Sequence, residues 1–490
     1  MPRRSHLPLD MLALERGADI PLYRQLYQCL RAYILEGRLP AKAQLPATRE
    51  LARDLGVSRN TVLAAYDGLL AEGYLDSRTG SGTRVAPLPA KPPGATAFDR
   101  KPRLPGLSER GRLMANQQVD QTIPGHVAFH PGYPEIATFP FAIWAKLLAA
   151  NARDVHEDVF GYHLVNGHPR LRRALAEYLA ISRGVKCEPE QVIVVTGAQA
   201  ALDLLGRMLM DPGDHFWMEE PGYLGARSAF LGAGGVPIPL SVGLNGWQIE
   251  TSCQASPRMV FVTPSCQWPL GLLMPMDTRL GLLQIAERHD AWIIEDDYDS
   301  EYRLRGYPIP CMQGLDDTGR VIYVGTLSKT MFPSLRVAYL VVPLKLVESF
   351  KTALSITGQY PSLLLQLTLA DFIAQGFLAA HLRRMRRLYA ARQRRFVAMC
   401  RDRLDRWLTV NEVDTGMQVI GRFKQPFDDG DLLVAARRHG VDFSRMSQHY
   451  HYSQPQHGMF LGYAGVDERH MHRGVERLRR AFEELEQSAA

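Results

Sequence analysis

Lys329 lies four residues after the end of an apolar segment that the residue pattern predicts to be a buried strand. The segment covers residues 321–325, and Thr326-Leu327-Ser328-Lys329-Thr330 come next. An ammonium group is costly to bury unless it is paired or neutral. A lysine placed here can have a lowered pKa, which is the property that Schiff-base formation requires. The alternative is a surface lysine at the end of a strand.

Three other segments carry phosphate-binding, acidic or aromatic groups, two of them at predicted strand ends and one at a turn. Residues 196–199 (Thr-Gly-Ala-Gln) open a predicted helix, whose first N–H groups can bind a phosphate. Residues 294–298 (Ile-Glu-Asp-Asp-Tyr) close a strand, and a buried carboxylate there can keep a pyridine nitrogen protonated. Tyr223 offers an aromatic face at a turn. The alternatives are a metal site or a solvated strand end for the acids, and simple packing for the tyrosine; a metal is disfavoured because no histidine cluster accompanies the acids.

A second constellation lies near the N-terminus, where residues 58–61 (Ser-Arg-Asn-Thr) begin a predicted helix. A short helix over 48–55 precedes it across a turn at Gly56, which is a helix-turn-helix pattern. A recognition helix presents small polar and basic side chains to DNA at its N-terminal end, as Ser58, Arg59, Asn60 and Thr61 would. The alternative is a three-helix dimerisation module.

A small hairpin is predicted after these helices. Residues 74–78 and 83–85 flank Thr79-Gly80-Ser81-Gly82, and this tip carries too little bulk to keep it away from a phosphate backbone. Arg78 and Arg84 beside the tip could pair with phosphates. The hairpin therefore favours DNA binding over the dimerisation module.

The elements that must position these groups divide the chain into four parts. Residues 1–85 are predicted to be helical with the small hairpin, and residues 86–125 form a proline-rich linker. Residues 126–345 alternate apolar runs with helical stretches, which is typical of an α/β domain with a mostly parallel sheet. Residues 346–490 are predicted to be helical and then to form an α+β lobe.

Composition and charge narrow the class of protein. The 490 residues are 46% apolar and 22% charged, with no apolar run near 18 residues, so no membrane span or secretory signal is predicted. Six cysteines are scattered without a CxxC pair, which indicates a reducing cytoplasm and no metal site. The first 125 residues hold 18 Lys and Arg against 12 Asp and Glu, so the net charge of +6 lies at the basic end of the chain. A basic end hints at a polyanion partner.

The N-terminal residues resemble a known family. Residues 45–62, Ala65-Tyr66, Glu72-Gly73-Tyr74 and Gly80-Ser81-Gly82-Thr83 together resemble the winged helix-turn-helix domain of GntR-type bacterial regulators. The resemblance covers about residues 20–85. It implies that Arg49, Ser58, Arg59 and Thr61 contact DNA and that Gly80 lies at the wing tip.

The four strand-end segments resemble fold type I pyridoxal-phosphate enzymes, the aminotransferase-like superfamily, with Arg336 following seven residues after the lysine. The resemblance implies that Lys329 holds pyridoxal 5'-phosphate as an internal aldimine and that Asp296, with Asp297 as its rival, pairs with the pyridine N–H. Tyr298 would bond the ring oxygen, and Tyr223 would stack on the ring. The phosphate would be held by Ala198, Gln199, Thr326, Ser328 and Arg336.

Three positions depart from that pattern. Trp268 replaces the asparagine that aminotransferases usually place before the proline of a Pro-x-Gly turn, and Cys266 stands where related regulators usually have a histidine. Phe460 stands where aminotransferases have the arginine that binds the substrate carboxylate. A carboxylate then needs another donor, for which Arg445 is the candidate effector-binding residue.

The whole chain resembles the MocR subgroup of GntR regulators. The resemblance implies a winged helix-turn-helix, mostly α with a small β-wing, joined to an α/β fold type I aminotransferase-like domain with an α+β small lobe. The expected protein is a cytoplasmic, head-to-tail homodimeric transcriptional regulator that binds operator DNA and senses an amino compound, or the cofactor itself. The alternatives are an active aminotransferase that carries a DNA-binding domain and a regulator with a vestigial cofactor site.

Overall fold

The computed structural model describes residues 14–18, 20–78, 82–87, 106–115, 127–153, 164–243, 246–252, 255–306 and 309–489. The chain divides into two compact units, residues 1–105 and residues 106–490. The division falls inside the segment 86–125 that the sequence predicts to be a linker. Within that segment the structure describes one helix, over Glu109–Ala115.

Three helices and a two-stranded hairpin form the first unit. The helices are α1 (Leu22–Leu35), α2 (Thr48–Asp54) and α3 (Arg59–Ala71), and the antiparallel strands are β1 (Leu75–Arg78) and β2 (Gly82–Val85). Ser58 caps the N-terminus of α3, because its Oγ accepts a hydrogen bond from the backbone N–H of Thr61 at 3.1 Å. The predicted wing tip at Gly80 lies outside the described residues.

The apolar stripes of the three helices meet in one core. Leu26, Leu30, Leu51, Val62 and Leu69 are fully buried there. The Tyr66 hydroxyl donates to the carbonyl oxygen of Pro46 at 3.0 Å, which holds the segment before α2 against α3. This packing fixes the angle at which α3 leaves the turn and keeps the polar first residues of α3 on the surface.

The second unit contains two sheets with helices packed against them. Its described helices are α4 (Glu109–Ala115), α5 (Phe141–Arg153), α6 (Pro169–Arg183), α7 (Ala198–Leu209), α8 (Leu224–Ala233), α9 (Met276–Arg288), α10 (Met312–Leu315), α11 (Leu344–Thr357), α12 (Leu363–Ala374), α13 (Phe377–Leu404), α14 (Asp429–Arg438) and α15 (Glu468–Ala489). Its described strands are β3 (Val127–Phe129), β4 (Val192–Val195), β5 (His215–Glu220), β6 (Val236–Gly243), β7 (Gly246–Gln248), β8 (Met259–Val262), β9 (Trp292–Asp297), β10 (Val321–Thr326), β11 (Ala338–Val341), β12 (Leu408–Val410), β13 (Gln418–Phe423), β14 (Val441–Arg445) and β15 (Gly458–Gly462).

The larger sheet has the strand order β4-β11-β10-β9-β8-β5-β6-β7. Strands β10, β9, β8, β5 and β6 pair in parallel, and β11 runs antiparallel to both of its neighbours. Every residue of β4, β8 and β10 is buried, as expected for strands covered by helices on both faces. The predicted α/β domain with a mostly parallel sheet is confirmed.

The smaller sheet has the order β12-β13-β15-β14-β3 and forms the C-terminal lobe. Its edge strand β3 comes from the start of the segment 126–345, and it pairs in parallel with β14 through Phe129 and Phe443. Conversely, α11 lies in the segment 346–490 for most of its length, yet its Phe350 and Leu354 pack in the core of the larger sheet. Each lobe therefore contains one short segment from the other side of the predicted boundary between residues 345 and 346.

Within the described ranges, no single helix is both long enough and apolar enough to cross a membrane, and only α12 and α13 taken together, bent by 71°, reach that length and hydropathy.

Candidate functional site

Five strands of the larger sheet end at the same edge. Strands β4, β5, β8, β9 and β10 point in one direction, because β4 and β10 are both antiparallel to β11. The carboxyl ends of parallel strands are where open α/β sheets bind ligands. Each predicted motif begins at or just after one of these ends, so the topology brings together residues that lie far apart in the sequence.

A cavity of about 390 Å³ opens at this edge. All nine residues predicted to bind the cofactor line it: Ala198, Gln199, Tyr223, Asp296, Tyr298, Thr326, Ser328, Lys329 and Arg336. The structure therefore collects the whole predicted set around one space.

Lys329 lies in an environment that disfavours its charge. Desolvation lowers the pKa of its ammonium group, and the charges of Asp299 and Asp296 oppose that shift. The backbone of Gly132 (φ +67°) passes close by, and a methyl group there would lie 2.9 Å from Nζ of Lys329. The positive φ favours glycine at this position, and the lysine is bordered on that side by backbone. A lysine with a lowered pKa is a competent nucleophile toward a carbonyl.

The two adjacent acids of β9 have different surroundings. Asp297 accepts hydrogen bonds from the buried guanidinium of Arg183 and the hydroxyl of Tyr323, both at 2.6 Å. Asp296 projects from the opposite face of the strand into the cavity, and its Oδ1 is buried without a hydrogen-bond partner among the described residues. Burial, together with the negative charges of Asp297 and Glu219, raises the pKa of Asp296 to about 7. An unpartnered carboxylate in that position fits a protonated pyridine nitrogen.

The opposite end of the cavity is suited to a phosphate. Helix α7 begins at Ala198, so its unpaired N–H groups and the positive end of its dipole face the cavity. Gly197 has a φ of +105°, and the Arg336 guanidinium packs over it, 3.2 Å from the position that a Cβ would occupy. A side chain at residue 197 would displace that cation. The donors present here therefore fit the phosphate of the cofactor.

Aromatic side chains form one wall of the cavity. The rings of Tyr223 and Trp268 meet edge to face at 6.2 Å between centroids, and those of Trp268 and Tyr298 at 5.5 Å. The Tyr298 hydroxyl donates to the backbone carbonyl of Cys266 at 2.8 Å in this structure. Burial and the nearby Asp296 raise the pKa of Tyr223 to about 12. Tyr223 is thus neutral, and its ring can stack on a heterocycle.

Five lining residues were not among the predicted site residues: His130, Pro131, Tyr133, Thr263 and Pro333. Residues 130–133 follow β3, which belongs to the smaller sheet, and reach the cavity from the other lobe. Thr263 follows β8 and donates its hydroxyl to the buried carboxylate of Glu219 at 2.6 Å. The end of β8 was the only available hint, since strand ends of this sheet were already expected to carry the site.

The proposed effector residue Arg445 is not brought into the cavity. It lies at the end of β14, and its guanidinium packs against Gly430 in α14. Phe460, on the neighbouring strand β15, packs edge to face on His449 at 5.3 Å, and His449 in turn contacts Trp268 at 6.0 Å. The position of the family's carboxylate-binding arginine is thus occupied by an apolar contact behind the aromatic wall.

The ionisation of Asp296 has a consequence for stability. In the cofactor-free protein, Asp296→Asn is expected to raise the melting temperature more at pH 8 than at pH 5. Because the folded-state pKa is raised from the ordinary 3.8 to about 7, the stabilisation from protonated Asp296 is full below 3.8 and is lost as pH rises through 7. Asparagine removes the buried charge, a gain on the order of 4 kcal/mol at pH 8.

Scanning calorimetry at the two pH values measures this difference. Asp317→Asn is the matched control, since the Asp317 side chain is 89% exposed and should show no such dependence. An equal gain for Asp296→Asn at both pH values would contradict the raised pKa.

The predicted DNA-contacting residues of the first unit lie on its surface. Arg49 is exposed in the first turn of α2, and Ser58, Arg59 and Asn60 are exposed at the start of α3. Thr61 is half-buried, and its hydroxyl lies 2.8 Å from Ser58 Oγ. The first turn of α3 therefore presents an exposed arginine and an exposed asparagine, the types of side chain that read guanine and adenine edges in the major groove.

Comparisons with known families cover both units. Residues 22–85 match the family described as bacterial regulatory proteins, gntR family, and residues 138–478 match the family described as aminotransferase class I and II. The α-aminoadipate aminotransferase LysN of Thermus thermophilus, solved with N-(5'-phosphopyridoxyl)-L-leucine, superposes with a TM-score of 0.70 at 26% identity, over 76% of this chain and 97% of its own. A winged helix-turn-helix joined to an aminotransferase fold defines a class of DNA-binding regulators.

Relatives of full length place the chain within that class. It is 60% identical over 98% of its length to the probable rhizopine catabolism regulatory protein MocR of Rhizobium meliloti, 97% of which is covered. It is 31% identical over 93% of its length to the pyridoxine biosynthesis regulator PdxR of Corynebacterium glutamicum, 95% of which is covered. The chain belongs to the MocR subgroup of the GntR family of transcriptional regulators.

Proposed function

We propose that this regulator binds pyridoxal 5'-phosphate at the cavity of its second unit and uses it to detect an amino compound. The observation that supports this is the convergence of Lys329, the unpartnered carboxylate of Asp296 and the Arg336 guanidinium around one cavity. When bound, the cofactor supplies an aldehyde carbon that condenses with primary amines and a ring that withdraws electrons.

The chain's own residues would have distinct tasks. Lys329, with its lowered pKa, would hold the cofactor covalently until an amine displaces it. Asp296 would keep the proton on the pyridine nitrogen, and the start of α7 with Arg336 would hold the phosphate. Tyr223 would stack on the ring, and Trp268, which meets Tyr223 edge to face, would help to keep water from it.

The amine would act on transcription by changing the preference of the protein between two DNA-binding states. A ligand shifts such an equilibrium only by its differential affinity for the two states. The amine must therefore bind at Lys329 with different affinities in the two states. We propose that the regulator works as a cytoplasmic homodimer, since paired recognition helices read two half-sites of an operator.

The test is binding of the full-length protein to the DNA upstream of its own gene, with and without pyridoxal 5'-phosphate, against a scrambled duplex. We expect specific binding that changes several-fold on cofactor addition. Equal affinity for both duplexes in both states would contradict self-regulation through that region. The retained lysine and aspartate also permit amino-group transfer, so production of keto acid should be followed in the same samples; sustained turnover would favour the aminotransferase alternative.

A further inference from the structure

A second cavity, of about 560 Å³, shares no described lining residue with the cavity that holds Lys329. It lies between the C-terminal end of α6, the segment 300–306 that follows β9, and the first half of α13. Arg183 lines it and binds Asp297, whose side chain alternates with that of Asp296 along β9. The two cavities therefore lie on opposite faces of that strand.

Four arginines line the second cavity, and three of them have no carboxylate partner among the described residues. Arg183 is the exception, since it forms a buried ion pair at 2.6 Å. Arg386 donates from Nε to the backbone carbonyl oxygen of Glu301 at 2.6 Å, which leaves its charge uncompensated. Arg303 and Arg383 make no ion pair with a described residue. Three guanidinium groups thus bring unpaired positive charge to one space.

Two buried polar atoms of this lining also lack partners. Nε of Arg303 and Oγ of Ser300 are buried without a hydrogen-bond partner among the described residues. Both groups can donate, and a buried donor without an acceptor is costly. A ligand oxygen that accepts from them recovers that cost on binding. Guanidinium and hydroxyl donors of this kind bind carboxylate and phosphate oxygens.

The acidic side chain in the described lining does not cancel this charge. Glu301 accepts a hydrogen bond from the hydroxyl of Tyr178 at 3.1 Å. Burial, together with the negative charge of Asp297, raises the pKa of Glu301, so this carboxyl group holds its proton to a higher pH than an exposed glutamate does. Even when Glu301 is ionised, the three unpaired arginines leave the cavity with a net positive charge.

Apolar side chains form another part of the lining. Leu273, Ile309 and Leu382 belong to it, and so does Ile181, whose side chain is 90% exposed. Burial of such apolar area against a ligand is favourable. A ligand that fills this cavity would therefore meet an apolar surface as well as cationic donors.

We infer that the second cavity binds an organic anion, a compound with a carboxylate or phosphate group on an apolar body, and that Arg303, Arg383 and Arg386 hold the anionic group. The inference goes beyond the proposed function, since binding at this cavity requires neither the cofactor nor an amine at Lys329.

Two lining residues also connect this cavity to the first. Arg183 binds Asp297 and donates a hydrogen bond to the hydroxyl of Ser265. Ser265 directly precedes Cys266, whose carbonyl oxygen accepts from the hydroxyl of Tyr298 at 2.8 Å. A bound anion is therefore expected to shift the absorbance of a cofactor in the first cavity, and this expectation alone rests on the proposed function.

Three compounds with one aromatic ring test the inference: phenyl phosphate, benzoate and benzyl alcohol. Each is titrated by calorimetry into the full-length, cofactor-loaded protein. Both anions are expected to bind, and the tighter of the two identifies the preferred anionic group. Benzyl alcohol should bind at least about tenfold more weakly, since hydrogen bonds from charged donors are worth that factor or more. Equal binding of the alcohol and the anions would overturn the inference.

Variants of the lining assign the binding to this cavity. Arg303→Gln should weaken the binding of the preferred anion about tenfold, because its guanidinium is partly buried. Arg383→Gln, at an exposed position that the fold does not depend on, should weaken it about threefold. Arg387→Gln is the matched control, since Arg387 is exposed on the same helix and does not line the cavity. It should leave the affinity unchanged.

The outcomes separate this inference from the proposed function. If Arg383→Gln and Arg387→Gln have equal effects, the anion responds to general surface charge and the inference is overturned. If Arg336→Gln abolishes binding while Arg303→Gln and Arg383→Gln do not, the anion occupies the first cavity, and the inference is again overturned. If the anion binds as expected but the absorbance of the cofactor does not move, the second site is supported and its connection to the first cavity is refuted.

Discussion

Replacement of Lys329 by alanine is expected to abolish covalent retention of pyridoxal 5'-phosphate while leaving the fold intact. The side chain projects from the end of β10 into a cavity, so its removal leaves the packing of the sheet unchanged. The phosphate and pyridine contacts would remain, so weak reversible binding is expected to persist. The measurement is the absorbance of the protein after reconstitution and extensive dialysis, which should lose the lysine-linked band completely.

A second lysine serves as the control for this variant. Lys351 lies on α11 and pairs with Glu348 at 2.9 Å, away from the residues that line the cavity. Lys351→Ala should keep the band, and a circular dichroism spectrum should show that both variants are folded. A Lys329→Ala protein that retains the lysine-type spectrum after dialysis would show that another amine carries the cofactor.

Replacement of Arg59 by alanine is expected to weaken specific operator binding about tenfold or more. An arginine that contacts a base edge contributes about 1–3 kcal/mol of discrimination between bases. If Arg59 contacts a phosphate instead, its loss should reduce the slope of binding affinity against salt concentration by about one. Arg59 is exposed at the first position of α3, so the substitution removes no core contact. Fluorescence anisotropy with operator and scrambled duplexes at several salt concentrations measures both quantities.

A control variant must separate the loss of a positive charge from the loss of a specific contact with DNA. Arg24→Ala removes the same charge from an exposed position on α1, outside the helix-turn-helix, and should change the affinity by less than Arg59→Ala. Equal and small effects for both variants would mean that the net charge of the unit, rather than the start of α3, determines binding.

The sequence was sufficient to predict the reactive side chains that lie next to a recognisable strand end. Lys329 and Asp296 each lie at or soon after the end of a short apolar run, and the parallel sheet places the ends of such runs together. Tyr223 is predicted from its aromatic ring at the turn Glu220-Pro221-Gly222-Tyr223. The resemblance already favours Asp296 over Asp297, and the structure supplies the physical reason, because Asp297 is bound by Arg183, 114 residues earlier in the chain.

Other parts of the site could not be predicted because they depend on which segments cross between lobes. Strand β3 has only three residues, too few for a periodic pattern, and nothing near it indicated that His130 and Tyr133 would reach the cavity. No sequence pattern locates a cation to replace the missing arginine, and the side chain of Arg445 lies beside α14.

The short strand β3 also lies close in the sequence to the backbone that borders Lys329. Its first residue is Val127, two positions beyond the predicted linker, and Gly132 follows only five residues later, with its backbone against Nζ of Lys329. The backbone that encloses the lysine therefore lies within five residues of a strand of the smaller sheet. Because β3 is held in register against β14, an insertion or deletion between Val127 and Gly132 would move this backbone away from its place beside the lysine.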